Sequence, residues 1–229
     1  MIRKIFKIFF ITLISLFLFS ISLVILLRFV SIPTSSFILQ AQLNNFIDDN
    51  DQIVMYEWVA IENISDSMKI AVIAAEDQKF LDHYGFDVDE IEKAFEQNRK
   101  GKRVRGASTI TQQTAKNLFL WSGKSYLRKG LEAYFTILLE LFWSKERILE
   151  VYLNIAEFGQ NIYGVEAAAQ NFYKVKSNSL TMTQSSLLAA VLPNPKRYKA
   201  KYPGVYIQRR AAWIRLQTRQ LGMNILKKL

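Results

Sequence analysis

The hydrophobic positions divide this chain into an apolar N-terminal run and a longer part in which apolar residues recur at helical spacing. Residues 8–27 form a run of 20 residues without a charged side chain, rich in Ile, Leu and Phe. Because a helix of about 20 apolar residues crosses the hydrocarbon core of a bilayer, we predict a transmembrane helix here. Arg3, Lys4 and Lys7 precede it, and the positive-inside tendency places the N-terminus in the cytoplasm. We expect a retained anchor within residues 1–30 and not a cleaved signal peptide, since the run is long and no A-x-A-like site follows it.

A connector is expected after the anchor, at residues 31–54. It contains Pro33 and an Asp/Asn cluster at residues 48–51, which is typical of a linker or loop. Residues 52–61 carry Val, Ile, Tyr and Trp and predict a short strand.

Residues 55–229 are expected to form one domain that is mainly α-helical, because apolar residues there recur at helical spacing between capping and breaking residues. The predicted helices are 68–80 after Ser67, 145–154 with Ser144 as N-cap, 165–173 after Gly159 and Gly164, and 183–192 ended by Pro193 and Pro195.

The composition of the chain limits the kinds of partner and site that we expect. Its 229 residues carry a net charge of +10, so an anionic partner or surface is expected. No nucleic-acid-binding motif is present, and we expect no nucleic-acid partner. The absence of cysteine excludes disulfides, a zinc-finger cage and a thiol nucleophile. The single histidine, His83, is expected to be structural, holding the turn at Tyr84 and Gly85.

Glu76 is a carboxylate within an otherwise apolar helical pattern. It shares a helix face with Ile73 and Phe80. Partial desolvation there raises the pKa of a carboxyl and makes it a better proton acceptor near neutral pH. The alternative is a helix-end glutamate paired with Lys69 or Lys79, and the sequence leaves both open.

A stripe of polar side chains follows within residues 107–118. If this segment is helical, Thr109, Gln112, Gln113 and Lys116 fall within about 100° of arc. Neutral donors around one cation suit sugar hydroxyls and phosphate oxygens. The alternative is an ordinary solvated helix face.

Five cations precede this stripe within seven residues: Arg99, Lys100, Lys102, Arg103 and Arg105. They predict a basic loop that reaches anionic lipid headgroups or a diphosphate. The alternative is a charged surface loop that only increases solubility.

Glu132 is the second carboxylate of interest. It lies four residues after Arg128 and three after Lys129. Such pairs on a helix surface contribute only about 0.3–0.5 kcal/mol and carry no chemistry. In a cleft, the same trio would orient a carboxylate and bind phosphate, and the sequence does not choose between these readings.

Five segments, in order along the chain, resemble the consecutive motifs of one family. They are EDQKFLDHYGFD at 76–87, GASTITQQTAKN at 106–117, RKGLE at 128–132, KERILEVYLNIAEFGQNIYGVEAAAQNFY at 145–173 and LLAAVLPNPKRY at 187–198. The family is the peptidoglycan glycosyltransferases (glycosyltransferase family 51), which polymerise lipid II. The segments most resemble its monofunctional, membrane-anchored biosynthetic members. No S-x-x-K or K-T-G motif occurs, so no transpeptidase activity is expected.

The resemblance implies a lysozyme-like glycosyltransferase lobe, mainly α, with a smaller membrane-proximal subdomain. It implies that Glu76 is the general base, which takes the proton from the 4-hydroxyl of the GlcNAc of lipid II. The oxygen then attacks C1 of the MurNAc at the reducing end of the growing chain, and undecaprenyl diphosphate leaves. Glu132 resembles the second essential acid of the family, either as leaving-group acid or as organiser of the phosphate-binding cations and a divalent ion.

The resemblance also assigns substrate contacts. Polar side chains that would orient the substrate are Ser108, Thr109, Gln112, Gln113 and Asn117, and cations that would stabilise the diphosphate are Lys116, Lys124 and Arg128. Lys124 departs from the family pattern, in which arginine is more usual, and so lacks the bidentate fork.

The implied partners are lipid II, the growing glycan chain, the membrane and proteins of cell-wall synthesis. The implied location is the bacterial inner membrane, with one span and a periplasmic catalytic domain. No protein-held metal and no tightly bound cofactor are expected, beyond a divalent cation, Mg²⁺ or Mn²⁺, that accompanies the diphosphate.

Two other functions fit the sequence less well. A lytic enzyme that cleaves glycan on a related fold shares the acid but does not need the dense cations or the polar stripe. A catalytically silent, membrane-tethered scaffold does not need both carboxylates.

Overall fold

A computed structural model describes residues 2–49, 52–99 and 108–229. Within these ranges the chain is mainly α-helical, as predicted, with a small three-stranded sheet. The helices are α1 (Ile2–Leu27), α2 (Ser36–Ile47), α3 (Asp66–Glu76), α4 (Val88–Arg99), α5 (Ile110–Phe119), α6 (Tyr126–Phe142), α7 (Lys145–Ile155), α8 (Val165–Tyr173), α9 (Met182–Val191) and α10 (Val205–Leu221).

The sheet joins the segment before α3 to the hairpin between α7 and α8. Its strands are β1 (Met55–Tyr56), β2 (Glu157–Gly159) and β3 (Ile162–Tyr163), in the order β1-β3-β2. Strand β3 pairs parallel with β1 and antiparallel with β2. The strand predicted within 52–61 is therefore confirmed, at a length of two residues.

The predicted N-terminal apolar helix is confirmed as α1, and its last turns dock on the rest of the chain. Among the described residues, α1 is the helix long and apolar enough to cross a membrane. Ser20 and Tyr134 of α6 share a hydrogen bond of 2.7 Å between their hydroxyl oxygens. The indole of Trp143 donates to the Val24 carbonyl at 2.8 Å. The anchor is thus fixed to α6 by directional bonds as well as by apolar contact.

The connector contains a helix, so the prediction of a loop at residues 31–50 is wrong for its central part. Ser35 caps α2 by accepting a hydrogen bond from the Ile38 amide at 3.3 Å. Gln40 then donates to the Leu120 carbonyl at 3.1 Å and holds α2 against the end of α5. In the sequence, Pro33 precedes this helix and the Asp/Asn cluster follows it, and Ile38 is its buried apolar residue.

α3 is the central helix of the part that carries α9 and α10. It packs against both, and Ile70, Val72 and Ile73 are fully buried. It begins after Ser65, whose side chain accepts from the Met68 amide, and not after Ser67.

α3 also ends four residues earlier than predicted. Its last residue is Glu76, so Phe80 lies beyond the helix, although it is buried in the same core. Glu76 therefore stands at a helix terminus, where its side chain meets residues of other elements.

The other predicted helices are confirmed with small shifts. Ser144 caps α7 as expected, and α8 has the predicted bounds. α9 begins one residue early, because Thr181 and Gln184 form a capping box.

Gly164 provides a stability test of the turn before α8. Its φ is +83°, and an added Cβ would lie 2.5 Å from the Asn154 carbonyl oxygen. We expect Gly164→Ala to lower the free energy of unfolding by about 2–3 kcal/mol, since both the backbone strain and the clash act against folding. Denaturant unfolding of the solubilised protein measures this. Gly204→Ala, at an open site with φ −68°, is the control, and an equal loss in both would contradict the prediction.

Candidate active site

Glu76 lies at the end of α3 with only 12% of its side chain exposed. Its Oε2 accepts a hydrogen bond from Gln113 Nε2 of α5 at 2.9 Å. Its Oε1 lies 3.7 Å from Arg210 Nη2 of α10. Three helices therefore meet at this carboxylate.

The alternative pairing of Glu76 with a lysine of its own segment is wrong. Lys69 forms a salt bridge with Asp66 at 3.0 Å. Lys79 pairs with Asp89 at the surface. Neither lysine neutralises the Glu76 carboxylate. The groups that act on this carboxylate therefore come from α5 and α10.

Burial raises the pKa of the Glu76 carboxyl above its ordinary value, as the sequence predicted. The hydrogen bond from Gln113 and the charges of Arg210 and Lys116 oppose this rise, and the charge of Asp77 adds to it. Oε1 is buried and has no hydrogen-bond donor among the described residues. Arg210 lies against this oxygen.

Tyr152 of α7 fixes the orientation of the Gln113 amide. Its hydroxyl donates to Gln113 Oε1 at 3.1 Å, so the amide nitrogen faces Glu76. Burial, together with the nearby charges of Glu76 and Asp77, raises the pKa of Tyr152 well above its ordinary value. The hydroxyl therefore remains a donor.

Neither Tyr152 nor Arg210 was among the predicted site residues. A tyrosine on an apolar face is typical of a core, and one arginine among many gives no sign of a functional role.

Glu132 of α6 is almost completely buried, with 3% exposure. Arg128 Nη1 donates to its Oε2 at 2.8 Å, and Lys129 Nζ donates to its Oε1. A solvated helix-surface pair is therefore excluded. The carboxylate holds two cations in place at the edge of a buried site.

Lys116 of α5 links the two carboxylates electrostatically. Burial lowers the pKa of its ammonium, and the negative charges of Glu132 and Glu76 act in the opposite direction. Its Nζ also lies 5.6 Å from the centre of the Phe37 ring of α2. A half-buried cation that interacts with two acids suits an anionic substrate group.

The polar stripe divides into two parts with different roles. Thr109 caps α5: its Oγ1 donates to the Gly85 carbonyl at 2.6 Å and accepts from the Gln112 amide at 3.2 Å. The Gln112 side chain completes the capping box, and both residues are buried. Gln113 and Lys116 point to Glu76 and its surroundings instead. The alternative of an ordinary solvated helix face is therefore wrong. The contacts of Thr109 and Gln112 with substrate stay a prediction.

The remaining predicted substrate contacts lie outside this buried centre. Ser108 is exposed just before α5, Asn117 is half-buried on α5, and Lys124 is exposed between α5 and α6. Their contacts with substrate stay predictions. The basic loop lies outside the described residues except for Arg99, the last residue of α4.

Asp77 ties the end of α3 to the start of α5. Its Oδ2 accepts from the Ile110 amide at 3.0 Å, and its Oδ1 is 2.9 Å from His83 Nε2. His83 therefore holds the loop after α3, which confirms its predicted structural role. This contact sets the distance between Glu76 and Gln113.

Among the described residues, no group of three His, Cys, Asp or Glu side chains is placed to hold an ion. The two Glu132 oxygens accept from cations, which occupies the positions that a metal would need.

Comparison with known proteins places the whole site within one family. The sequence profile described as Transglycosylase matches residues 43–219. A protein of Shewanella oneidensis is 54% identical over 93% of this chain and 91% of its own length. Proteins of Mannheimia succiniciproducens and Pseudomonas syringae pv. syringae are 52% and 51% identical, over 92% and 89% of this chain and 86% of their own lengths. All three are named biosynthetic peptidoglycan transglycosylase.

Removing the Tyr152 hydroxyl tests whether it orients Gln113. We expect Tyr152→Phe to raise the pKa of Glu76, because a freely rotating amide no longer holds its nitrogen toward the carboxylate. Carboxyl ¹³C NMR titration measures this, with Glu76→Gln identifying the resonance. Tyr163→Phe, which removes another buried tyrosine hydroxyl, is the control. An unchanged or lower Glu76 pKa in Tyr152→Phe would contradict the assignment.

Proposed function

The chain belongs to the Transglycosylase family, and from this we propose that it polymerises lipid II into linear peptidoglycan glycan strands, releasing undecaprenyl diphosphate. One observation carries the proposal. Glu76 is a buried carboxylate with a raised pKa, and it interacts electrostatically with Lys116, which also interacts with the cation-paired Glu132. One site therefore provides both the base and the cations that bind the diphosphate.

Glu76 is the base in this proposal. Its carboxylate takes the proton of the GlcNAc 4-hydroxyl, and that oxygen forms a bond to C1 of the MurNAc at the reducing end of the growing chain. The bond from C1 to the diphosphate oxygen breaks, and its electron pair leaves with undecaprenyl diphosphate. Attack opposite to the leaving group inverts C1 from α to β. Gln113, held by Tyr152, keeps the second carboxylate oxygen in place during the transfer.

Cations stabilise the leaving diphosphate, which needs charge neutralisation more than protonation. Arg128 donates a hydrogen bond to Glu132, and Lys116 interacts with Glu132 electrostatically, so these two cations are the candidates for this role. Of the two roles implied for Glu132, we propose that of organiser, because both of its oxygens already accept hydrogen bonds from cations. We place Mg²⁺ or Mn²⁺ on the substrate diphosphate and not on protein ligands. Lys124, Ser108 and Asn117 contact the outer parts of the substrate.

The anchor places this chemistry at the membrane. α1 docks on α6, the helix that carries Arg128 and Glu132. Because both substrates carry polyprenyl tails, a site fixed to the anchor meets them at the bilayer surface. We propose a single span in the bacterial inner membrane, with the N-terminus cytoplasmic, the catalytic domain periplasmic, and cell-wall synthesis proteins as neighbours.

The direct test is incubation of the solubilised protein with labelled lipid II, followed by lysozyme digestion of the product. We expect a lysozyme-sensitive polymer, and a loss of rate of about 10²–10⁴-fold in Glu76→Gln, as for removal of a general base. Glu62→Gln, at an exposed carboxylate, is the control. Appreciable polymerisation by Glu76→Gln refutes the base assignment, and lipid II binding without any polymer supports the scaffold function.

Arg210 gives a prediction on pH dependence. Its charge lowers the pKa of Glu76, and the base must be ionised to act. Removing the charge therefore raises this pKa and moves the acid limb of the kcat/KM profile to higher pH in Arg210→Gln. Arg209→Gln, at the exposed neighbouring position, should leave the limb in place. A shift to lower pH, or no shift in Arg210→Gln, would show that Arg210 does not act on the base.

A further inference from the structure

Three tyrosines that the proposed reaction does not use lie in the segment between α9 and α10 and in the first turn of α10. We call Tyr198, Tyr202 and Tyr206 the tyrosine platform. The rings of Tyr198 and Tyr206 lie 5.3 Å apart, tilted by 34°. Tyr202 is 73% exposed and Tyr206 is 55% exposed. Tyr198 is partly buried and packs against the core, so Tyr202 and Tyr206 offer the exposed aromatic faces, which suggest a ligand with apolar faces of its own.

Cations surround the platform. The Arg197 guanidinium lies 5.9 Å from the Tyr198 ring centre, and Lys201 Nζ lies 5.5 Å from that of Tyr202. Lys196 and Lys199 belong to the same segment and are exposed. Among the described residues, none of these four cations has a carboxylate oxygen within 4.0 Å. The surface therefore suits a ligand that combines apolar faces with negative charge.

The platform is continuous with the catalytic carboxylate. Tyr206 and Arg210 lie four residues apart on α10 and thus on the same helix face. Arg210 reaches to 3.7 Å from Glu76 Oε1. One helical turn, about 6 Å along the axis, separates the last tyrosine of the platform from the residue that touches the base.

The platform lies on a part of the fold distinct from the anchor contact. α10 packs against α9 and α3, whereas α1 packs against α6. A surface of tyrosine and lysine is also typical of a membrane interface. The position of the platform favours a ligand that extends from the active site over a lipid headgroup layer.

We propose that the tyrosine platform binds the glycan strand outside the reacting centre. The C–H faces of successive sugar rings stack on the tyrosines. The carboxylates of the peptide stems on the strand pair with the surrounding cations, in particular Arg197 and Lys201. This inference rests on the proposed function, since it takes the strand made at Glu76 as the ligand. Its consequence is that the platform retains the polymer between additions and thereby lengthens the product.

The first experiment measures binding of soluble, uncrosslinked glycan strands that carry peptide stems to the full-length solubilised protein. Tyr202→Ala and Tyr206→Ala should each weaken binding by about fivefold to tenfold, because each removes a stacking face. Tyr126→Ala, at a tyrosine that is 99% exposed on α6, is the matched control and should bind like the wild type. Equal affinities in all four proteins, or no binding by the wild type, would overturn the proposal.

The second arm separates charge from stacking. Arg197→Gln with Lys201→Gln should weaken binding of strands with stems and leave binding of amidase-stripped strands unchanged. Vesicles containing phosphatidylglycerol test the membrane alternative. If these substitutions weaken vesicle binding and not strand binding, the platform is a membrane contact and the proposal is wrong.

The third arm keeps this proposal distinguishable from the proposed function. With labelled lipid II, Tyr202→Ala should form the first coupled product at the wild-type rate and give shorter polymers. Products of wild-type length would contradict the role in retention. Failure of the wild type to form any polymer would instead refute the proposed function. In that case the strand-binding measurement alone would show whether the tyrosine platform binds glycan strands.

Discussion

The candidate site depends on the contact between the end of α3 and the first turn of α5. Asp77 accepts from the Ile110 amide, and the neighbouring Glu76 accepts from Gln113 one turn further along α5. Adjacent acidic residues thus have different tasks: one fixes two helices to each other, and the other is buried beside the amide that this contact positions. Desolvation of Glu76, which raises its pKa, is a consequence of the same packing.

α6 connects this site to the membrane. It carries Arg128 and Glu132 on one part of its surface and Tyr134 two residues later, where Ser20 of the anchor binds. The cations proposed for the diphosphate and the contact with the anchor therefore belong to one rigid element. This arrangement explains how a membrane-anchored enzyme presents its site to substrates that remain attached to lipid.

Much of the local chemistry was predictable from the sequence, because capping and burial depend on neighbouring residues. Ser144 and the apolar N-terminal run specified their helices, and the surroundings of Glu76 in sequence indicated its burial. Contacts between distant segments were not predictable. Arg210 reaches Glu76 from 134 positions away. The capping box of Thr109 and Gln112 was not predicted from the sequence either, and the contacts of these two residues with substrate stay a prediction. The helix α2 was not predicted, because Pro33 before it and the Asp/Asn cluster after it suggested a loop for the whole segment.

The central claim is that the buried carboxylate of Glu76 acts as the base of polymerisation. The most direct test compares two values obtained on the same protein: the pKa of Glu76 from carboxyl NMR titration, and the pKa of the acid limb of kcat/KM with lipid II, which reports the free enzyme. The account predicts that the two coincide and that both lie above the ordinary value for a glutamate. An acid limb that does not follow the NMR titration of Glu76 would show that another group is the base.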